Sequence, residues 1–334
     1  MIIKIQRKSI GENYTPYIIA EAGINHNGSL SIAKKLIKIA KSSGADAVKF
    51  QTFKAEDLAS KKSKYFKLFK KLELRDSSFL ELSKFAKKIG ITFLSTPFSN
   101  KAVDLLEKCN CSAFKIASGD LTNIPLIKYT AKKQKPIILS TGMGTMEEIK
   151  NAVSAVKSQK NEKIILLHSV SGYPTPPNET NLNSIPFLAK KFPYPIGFSD
   201  NGDDILVSKI ACALGAKIIE KHFTFDKKAR GPDHSMSANK EELKKFVKDS
   251  KMIHQMLGRL DKKVQNCEKN NRIFARRSII AKTTISKNSI IKEHMVAIKR
   301  PSLGIEPQKL NKVLNKKTKR KISEDEPIMW KDLK

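Results

Sequence analysis

Residues 16–52 read PYIIAEAGINHNGSLSIAKKLIKIAKSSGADAVKFQT, and this stretch decides the fold. A short apolar run at Tyr17–Ala22 reads as a strand. Leu30–Ser43 follows with apolar residues near i, i+3, i+4 and i+7, the period of a helix with one buried face. Ala47–Thr52 is a second β-branched run in which Lys49 and Gln51 alternate with Phe50 and so share one side. Strand, helix and strand in this order predict parallel pairing, since a parallel pair needs a crossover and a helix supplies it. The pattern recurs along the chain. Further strands are expected at Thr92–Thr96, Ala113–Ser118, Pro136–Thr141, Ile164–Ser169, Pro195–Ser199 and Lys217–Phe223. Helical periods appear at Ser77–Lys88, Met146–Lys157, Asp203–Leu214 and Lys240–Leu257. Eight strand–helix units over about 250 residues predict an α/β fold of the (β/α)8 TIM-barrel type. A doubly wound open sheet is the alternative, but no Gly-rich dinucleotide fingerprint follows the first strand.

The pattern holds over 1–257 and then changes. Residues 258–277, GRLDKKVQNCEKNNRIFARR, are polar with few apolar anchors and read as a linker or arm. Residues 278–334 break into short β-like pieces such as SIIAKTTI and KTKRKISEDEPI. A tail this small cannot bury a generous core of its own, so it is expected to dock, for example on a second subunit.

Of the 334 residues, 40% are hydrophobic and 29% are charged, which excludes a disordered chain. No run of about 18 apolar residues exists to cross a membrane. The N-terminus MIIKIQRKSI lacks the apolar segment of a secretory signal, so a cytoplasmic location is expected. The formal net charge is +32, yet only nine of the 64 basic residues are Arg and the lysines run over the whole length. They read as solvated faces. No basic stripe interleaved with aromatics occurs, so neither a nucleic-acid nor a membrane partner is expected. Cys109, Cys111, Cys212 and Cys267 are few and unevenly spaced, as in a reducing compartment.

Barrel active sites lie at the C-terminal ends of the strands, and polar residues stand there on every strand. They are Glu21; Lys49 and Gln51; Thr96; Lys115 and Ser118 with Asp120; Ser140; His168 with Tyr173 after it; Ser199 with Asn201; and Glu220 with His222. Polar groups facing inward are costly to bury unless paired or wet. Lys49 and Lys115 with Thr96, Ser118, Ser140 and Ser199 would make a cationic, hydroxyl-rich basin for a small phosphate or carboxylate. His26, His168, His222, Glu21 and Glu220 are candidates for metal ligands or acid–base groups.

These stretches also carry a resemblance. IIAEAGINHNGSL (18–30), DAVKFQTF (46–53), FLSTPFS (93–99), FKIASGD (114–120), PIILSTGM (136–143), YPTPPNETNL (173–182), IGFSD (196–200), IIEKHFT (218–224) and GPDHSMS (231–237) resemble the N-acetylneuraminate (sialic acid) synthase family, which includes the legionaminate and pseudaminate synthases. RRSIIAK and VAIKRPSLG in the tail resemble the antifreeze-like (SAF) domain that ends those enzymes. The resemblance implies a transferase that condenses phosphoenolpyruvate with N-acetylmannosamine or a related N-acetylated amino sugar, releasing phosphate and forming a 2-keto acid. It implies phosphoenolpyruvate binding by Lys49, Thr96, Lys115, Ser118, Ser140 and Ser199, and sugar binding by Gln51, Tyr173 and Asp233. Glu21, Asp120 and Glu220 become catalytic carboxylates. His222 and Asn201 become ligands of Mn²⁺ or Mg²⁺. Arg300 becomes a residue that one subunit of a domain-swapped homodimer sends into the barrel of the other.

Two departures from the family pattern stand out. Asn201 occupies a position where members commonly carry His, and its carbonyl is a weaker ligand for Mn²⁺ than imidazole. Asp120 replaces a common Glu, on a stem one methylene shorter. Lys61–Leu74 contains KLEL, closer to legionaminate-type enzymes, which leaves an N,N′-diacetyllegionaminate synthase as an alternative. A catalytically weakened sugar-binding homologue is the other.

Overall fold

The computed structural model describes residues 1–334. Chain contacts divide it into two units, Met1–Gly258 and Arg259–Lys334. The first unit opens with a hairpin of two short antiparallel strands, β1 (Ile3–Ile5) and β2 (Lys8–Ile10). Eight parallel strands follow. They are β3 (Tyr17–Gly23), β4 (Ala47–Thr52), β5 (Thr92–Pro97), β6 (Phe114–Ile116), β7 (Ile137–Ser140), β8 (Ile164–Ser169), β9 (Ile196–Asp200) and β10 (Ile218–His222). Their order in the sheet is β5-β4-β3-β10-β9-β8-β7-β6. The two end strands, β5 and β6, pack against each other without a registered ladder, so the sheet closes on itself as a TIM-like barrel. Helices fill the crossovers. They include Leu30–Ser42, Asp76–Ile89, Met146–Lys157, Ile205–Ala213 and Lys240–Leu257, each where the periodicity places one. Capping boxes at Thr145/Glu148 and Asn239/Glu242 satisfy the first free N–H groups of two of them.

Alternation along the strands sorts the barrel wall into two faces. The outer face joins the helices in one large apolar core. The inner face carries Tyr17, Ile19, Ala47, Leu94, Ala113, Ile138, Ile165, Leu167 and Ile218 in a second core near the N-terminal ends of the strands. Ile3, Ile5 and Ile10 of the hairpin belong to that inner cluster and close the barrel at this end. The sequence reading missed the hairpin, because two three-residue strands carry too little pattern to detect. Space inside is tight. A Cβ on Gly197 would lie 2.1 Å from Ile218 Cγ2 and 2.7 Å from Leu167 Cδ2, so only glycine fits this rung.

The Arg259–Lys334 unit pairs β11 (Ser278–Ala281) with β12 (Val296–Lys299) in antiparallel register. Ile279, Ile285, Ile291, Ile305, Val313, Ile322, Ile328 and Leu333 form a small core of their own. The stretch read as a linker contains a helix, Lys269–Ala275. The KTKRKISEDEPI stretch contributes single bridges, such as Ile285 to Ile322, rather than a strand. No helix in either unit is long and apolar enough to cross a membrane.

Truncating a fully buried isoleucine loses both its transfer energy and the packing around the hole. Ile5→Ala is therefore expected to cost about 2–5 kcal/mol, read as a lower urea midpoint at unchanged slope. Ile2→Ala, on the exposed edge of the same hairpin, is expected to stay within about 0.5 kcal/mol.

Candidate active site

Each inward row of side chains turns from apolar to polar toward the C-terminal end of its strand. On β3 the row ends in Glu21, on β4 in Lys49 and Gln51, on β5 in Thr96, and on β6 in Lys115. On β7 it ends in Ser140, on β8 in Ser169, on β9 in Ser199 and Asn201, and on β10 in Glu220 and His222. All of these line one cavity of about 60 Å³, with Phe98, Ala117, Ser118 and Tyr173 completing the wall.

Four charged groups meet at its floor. Lys49 Nζ lies 2.9 Å from Glu21 Oε2 and 3.5 Å from Glu220 Oε1. It also donates to Thr96 Oγ1 at 2.9 Å. Lys115 Nζ lies 3.7 Å from the same Glu220 oxygen, which accepts from Ser199 Oγ at 3.3 Å. Gln51 Nε2 reaches Glu21 Oε1 at 3.5 Å. Burial pushes the Glu21 carboxyl up to about 7, against the pull of Lys49. Burial acts on Glu220 in the same sense, but Lys115 and Lys49 outweigh it and hold that carboxyl below its ordinary value. Burial brings Lys115 down to about 8. For Lys49 burial is overcome by Glu21 and Glu220, which raise it. Two carboxyls pushed apart in this way suit one permanent anion and one group that exchanges a proton near neutrality.

Several buried polar atoms here have no protein partner, among them Ser140 Oγ, Glu220 Oε2 and His222 Nδ1. Buried donors and acceptors without partners are uncommon, and their gathering in one cavity marks a ligand site. Ser118 Oγ accepts from Gly142 N at 3.2 Å. Ser171 Oγ is also beside Gly142, 2.5 Å from where a Cβ on that residue would stand. Two lysines with these hydroxyls form an end suited to phosphate or carboxylate oxygens.

His222 Nδ1 faces Asp233 Oδ2 at 3.8 Å. A Cβ on Gly23 would lie 3.4 Å from Glu21 Oε1, 3.5 Å from Asp233 Oδ2 and 3.5 Å from His222 Cε1, so these three side chains converge on the space left by that glycine. Asn201 gives its amide Nδ2 to Val170 O at 2.7 Å and to Ser169 Oγ at 3.3 Å, leaving Oδ1 as a free acceptor. No three His, Cys, Asp or Glu side chains enclose a point as a closed metal cage. An unpartnered imidazole nitrogen with hard oxygens nearby fits an open site for a divalent cation, with positions left for substrate and water.

Some expected residues stand elsewhere. Asp120 is not in the cavity lining. Its carboxylate accepts from Asn123 Nδ2 at 2.9 Å, and burial raises its pKa. His168 points away from the barrel interior, because β8 presents Ile165, Leu167 and Ser169 inward; its Nε2 meets Thr180 O at 2.8 Å. His26 accepts from Gly28 N at 3.0 Å through Nδ1 and packs its ring 6.1 Å from Phe50. Tyr173 lines the cavity mouth and stays 58% exposed, its ring edge-on to His222. Arg300 is exposed on the second unit, directly after β12. The sequence reading missed Ser169. Counting in twos from Ile165 along β8 would have found Ser169.

The NeuB family matches residues 36–262, and the SAF domain matches residues 276–334. An uncharacterised protein of Methanocaldococcus jannaschii is 48% identical over 331 residues, 99% of this chain and 98% of its own. The N,N′-diacetyllegionaminic acid synthase of Campylobacter jejuni is 42% identical over 327 residues, 93% of this chain and 98% of its own. The crystal structure of the N-acetylneuraminic acid synthetase of Leptospira borgpetersenii, solved with citrate, superposes with a TM-score of 0.79 at 36% identity. It covers 81% of this chain and 95% of that one.

Removing one partner of a buried charge cluster leaves the others uncompensated. Lys49→Met is expected to cost about 3–5 kcal/mol at pH 8. Glu21 has a folded-state pKa above its unfolded one, so its contribution to stability is present at low pH and lost as pH rises through about 7. The deficit of Lys49→Met should therefore shrink as pH falls through that value. Urea unfolding at pH 6 and pH 8 measures it.

Proposed function

The chain belongs to the NeuB family, and on that premise we propose that it condenses phosphoenolpyruvate with an N-acetylated amino sugar, forming a nine-carbon 2-keto acid and phosphate. The observation that carries this reading is the cavity floor: two lysines and the unpartnered Ser140 hydroxyl for an anion, set directly against two carboxyls whose pKa values are pushed apart.

In this reading Lys49, Lys115, Thr96, Ser118, Ser140 and Ser199 hold the phosphate and carboxylate of phosphoenolpyruvate. Its C2–C3 π pair forms the new bond from C3 to the sugar aldehyde carbon, the C=O π pair moves onto the aldehyde oxygen, which takes up a proton to become a hydroxyl, and positive charge develops at C2. Glu220, kept ionised, stabilises that charge. Water adds at C2, and Glu21, which titrates near neutrality, takes its proton. The tetrahedral intermediate collapses to the ketone as the added hydroxyl gives up its proton and the C–O bond to phosphate breaks, the electron pair leaving with phosphate. Gln51, Tyr173 and Asp233 face the sugar. His222 and Asn201 Oδ1 would hold a divalent ion, Mn²⁺ or Mg²⁺, which would supply polarisation of the aldehyde. Asp120, outside the lining, takes no direct part. Arg300 comes from the second unit of a partner copy in a swapped homodimer.

N-acetylmannosamine is one candidate sugar. The 42% identity to a diacetyllegionaminic acid synthase supports a 2,4-diacetamido-6-deoxy sugar as the second. Metal-stripped protein should release phosphate from phosphoenolpyruvate only when one of these sugars and Mn²⁺ or Mg²⁺ are added. Folded protein that releases none with either sugar would overturn the synthase in favour of a sugar-binding homologue. The free-enzyme profile, kcat/KM for phosphoenolpyruvate, should fall as pH rises through about 8, where Lys115 loses its charge. Mixing inactive Arg300→Ala and Lys115→Met subunits should restore turnover if Arg300 acts across the dimer, since mixed pairs then hold one intact site.

A further inference from the structure

We propose that the buried ion pair of Asp200 and Lys221, on the outer face of the barrel wall, is a positioning device that sets the sugar end of the cavity. The proposal rests on the synthase reading for the identity of the sugar. Both residues sit one step out of register with the site: Ser199 and Asn201 face inward around Asp200, and Glu220 and His222 face inward around Lys221. Lys221 is fully buried, with Nζ 3.1 Å from Asp200 Oδ2. Its other protons go to main-chain carbonyls, Gly202 O at 2.7 Å and Asp204 O at 3.3 Å. Asp200 in turn accepts from Gly202 N at 2.8 Å and from Ser208 Oγ. Every contact of the pair thus closes on the turn at 202–204 or on the helix that follows it.

That turn carries Asn201 on its other side. The Asn201 amide is aimed by Val170 O and Ser169 Oγ, and its main-chain carbonyl accepts from Thr175 N at 3.1 Å. Thr175 belongs to the loop that brings Tyr173 to the cavity mouth. A single fixed turn therefore holds Asn201 Oδ1 and the Tyr173 loop together. Of the anion-binding residues, Lys49, Thr96, Lys115, Ser118 and Ser140 lie on β4–β7 or on the turn after β6, away from the pair; Ser199, beside Asp200 on β9, is the exception. A wall that needed only filling would do as well with apolar side chains, because buried ion pairs add little net stability over them. Apolar side chains would not bond to the carbonyls of Gly202 and Asp204.

The test separates stability from placement. Lys221→Met alone leaves a buried carboxylate unpaired and is expected to unfold more easily. Adding Asp200→Asn removes that charge, so the double variant should regain its unfolding midpoint while the turn stays untied. Its dissociation constant for the sugar, by titration calorimetry, should be raised by about 10- to 100-fold, the scale of a 1 Å misplacement. Its dissociation constant for phosphoenolpyruvate should stay within about twofold, since five of the six residues assigned to that anion stand away from the pair and Ser199 is held by its strand and by Glu220. Ser208→Ala, which loosens Asp200 but leaves the lysine–carbonyl bonds, should lower stability without weakening sugar binding. Unchanged sugar binding in the double variant, equal weakening of both ligands, or sugar binding weakened as much in Ser208→Ala would overturn the proposal. Binding without turnover in the unsubstituted protein would strike the synthase reading alone, because these constants are measured without turnover.

Discussion

A charge buried in a barrel must find its counter-charge there, and in this protein Lys49, Lys115, Glu21 and Glu220 find one another. Lys49 touches both carboxylates and Glu220 touches both lysines. The cluster stands where inward rows from β3, β4, β6 and β10 converge, so the strands must keep their register for any of these contacts to exist. A slip of one residue would send each charge outward into the apolar layer under the helices. The same register lays isoleucines, alanines and leucines beneath the cluster and hydroxyls around it.

The strands were legible in the sequence because β-branched runs are short, regular and separated by helical periods. The polar ends of those runs were legible for the same reason. Asp120 and His168 show where that reading gives out. His168 lies at the end of β8 but on its outward parity, and Asp120 lies in the turn at Ser118–Asp120 beyond β6, where its carboxylate is taken up by the Asn123 amide. The Asp200–Lys221 pair was invisible because nothing in spacing marks two outward polar residues on neighbouring strands as partners. The β1–β2 hairpin was missed because its role lies in what it covers. The lysine excess has a plainer account: many lysines sit on exposed faces, some in pairs such as Lys70 with Glu56 and Glu73.

The two units divide the work of stability differently. The first buries a large core under its helices and a second one inside its barrel. The second, much smaller, adds to its apolar centre an arginine–carboxylate cluster in which Arg320 holds Asp332 and Glu326, both at 2.7 Å. The family assignment spans both units, with the NeuB match on the first and the SAF match on the second.

The hairpin that closes the barrel base has a consequence for traffic. With Ile3, Ile5 and Ile10 packed into that end, the cavity is a well with a single opening. A ligand whose anionic head rests on Lys49 and Lys115 lies at the bottom of that well. Anything held by Tyr173 lies above it, at the rim. Molecules that share such a well queue: the deeper one goes in first and cannot leave until the shallower one has gone.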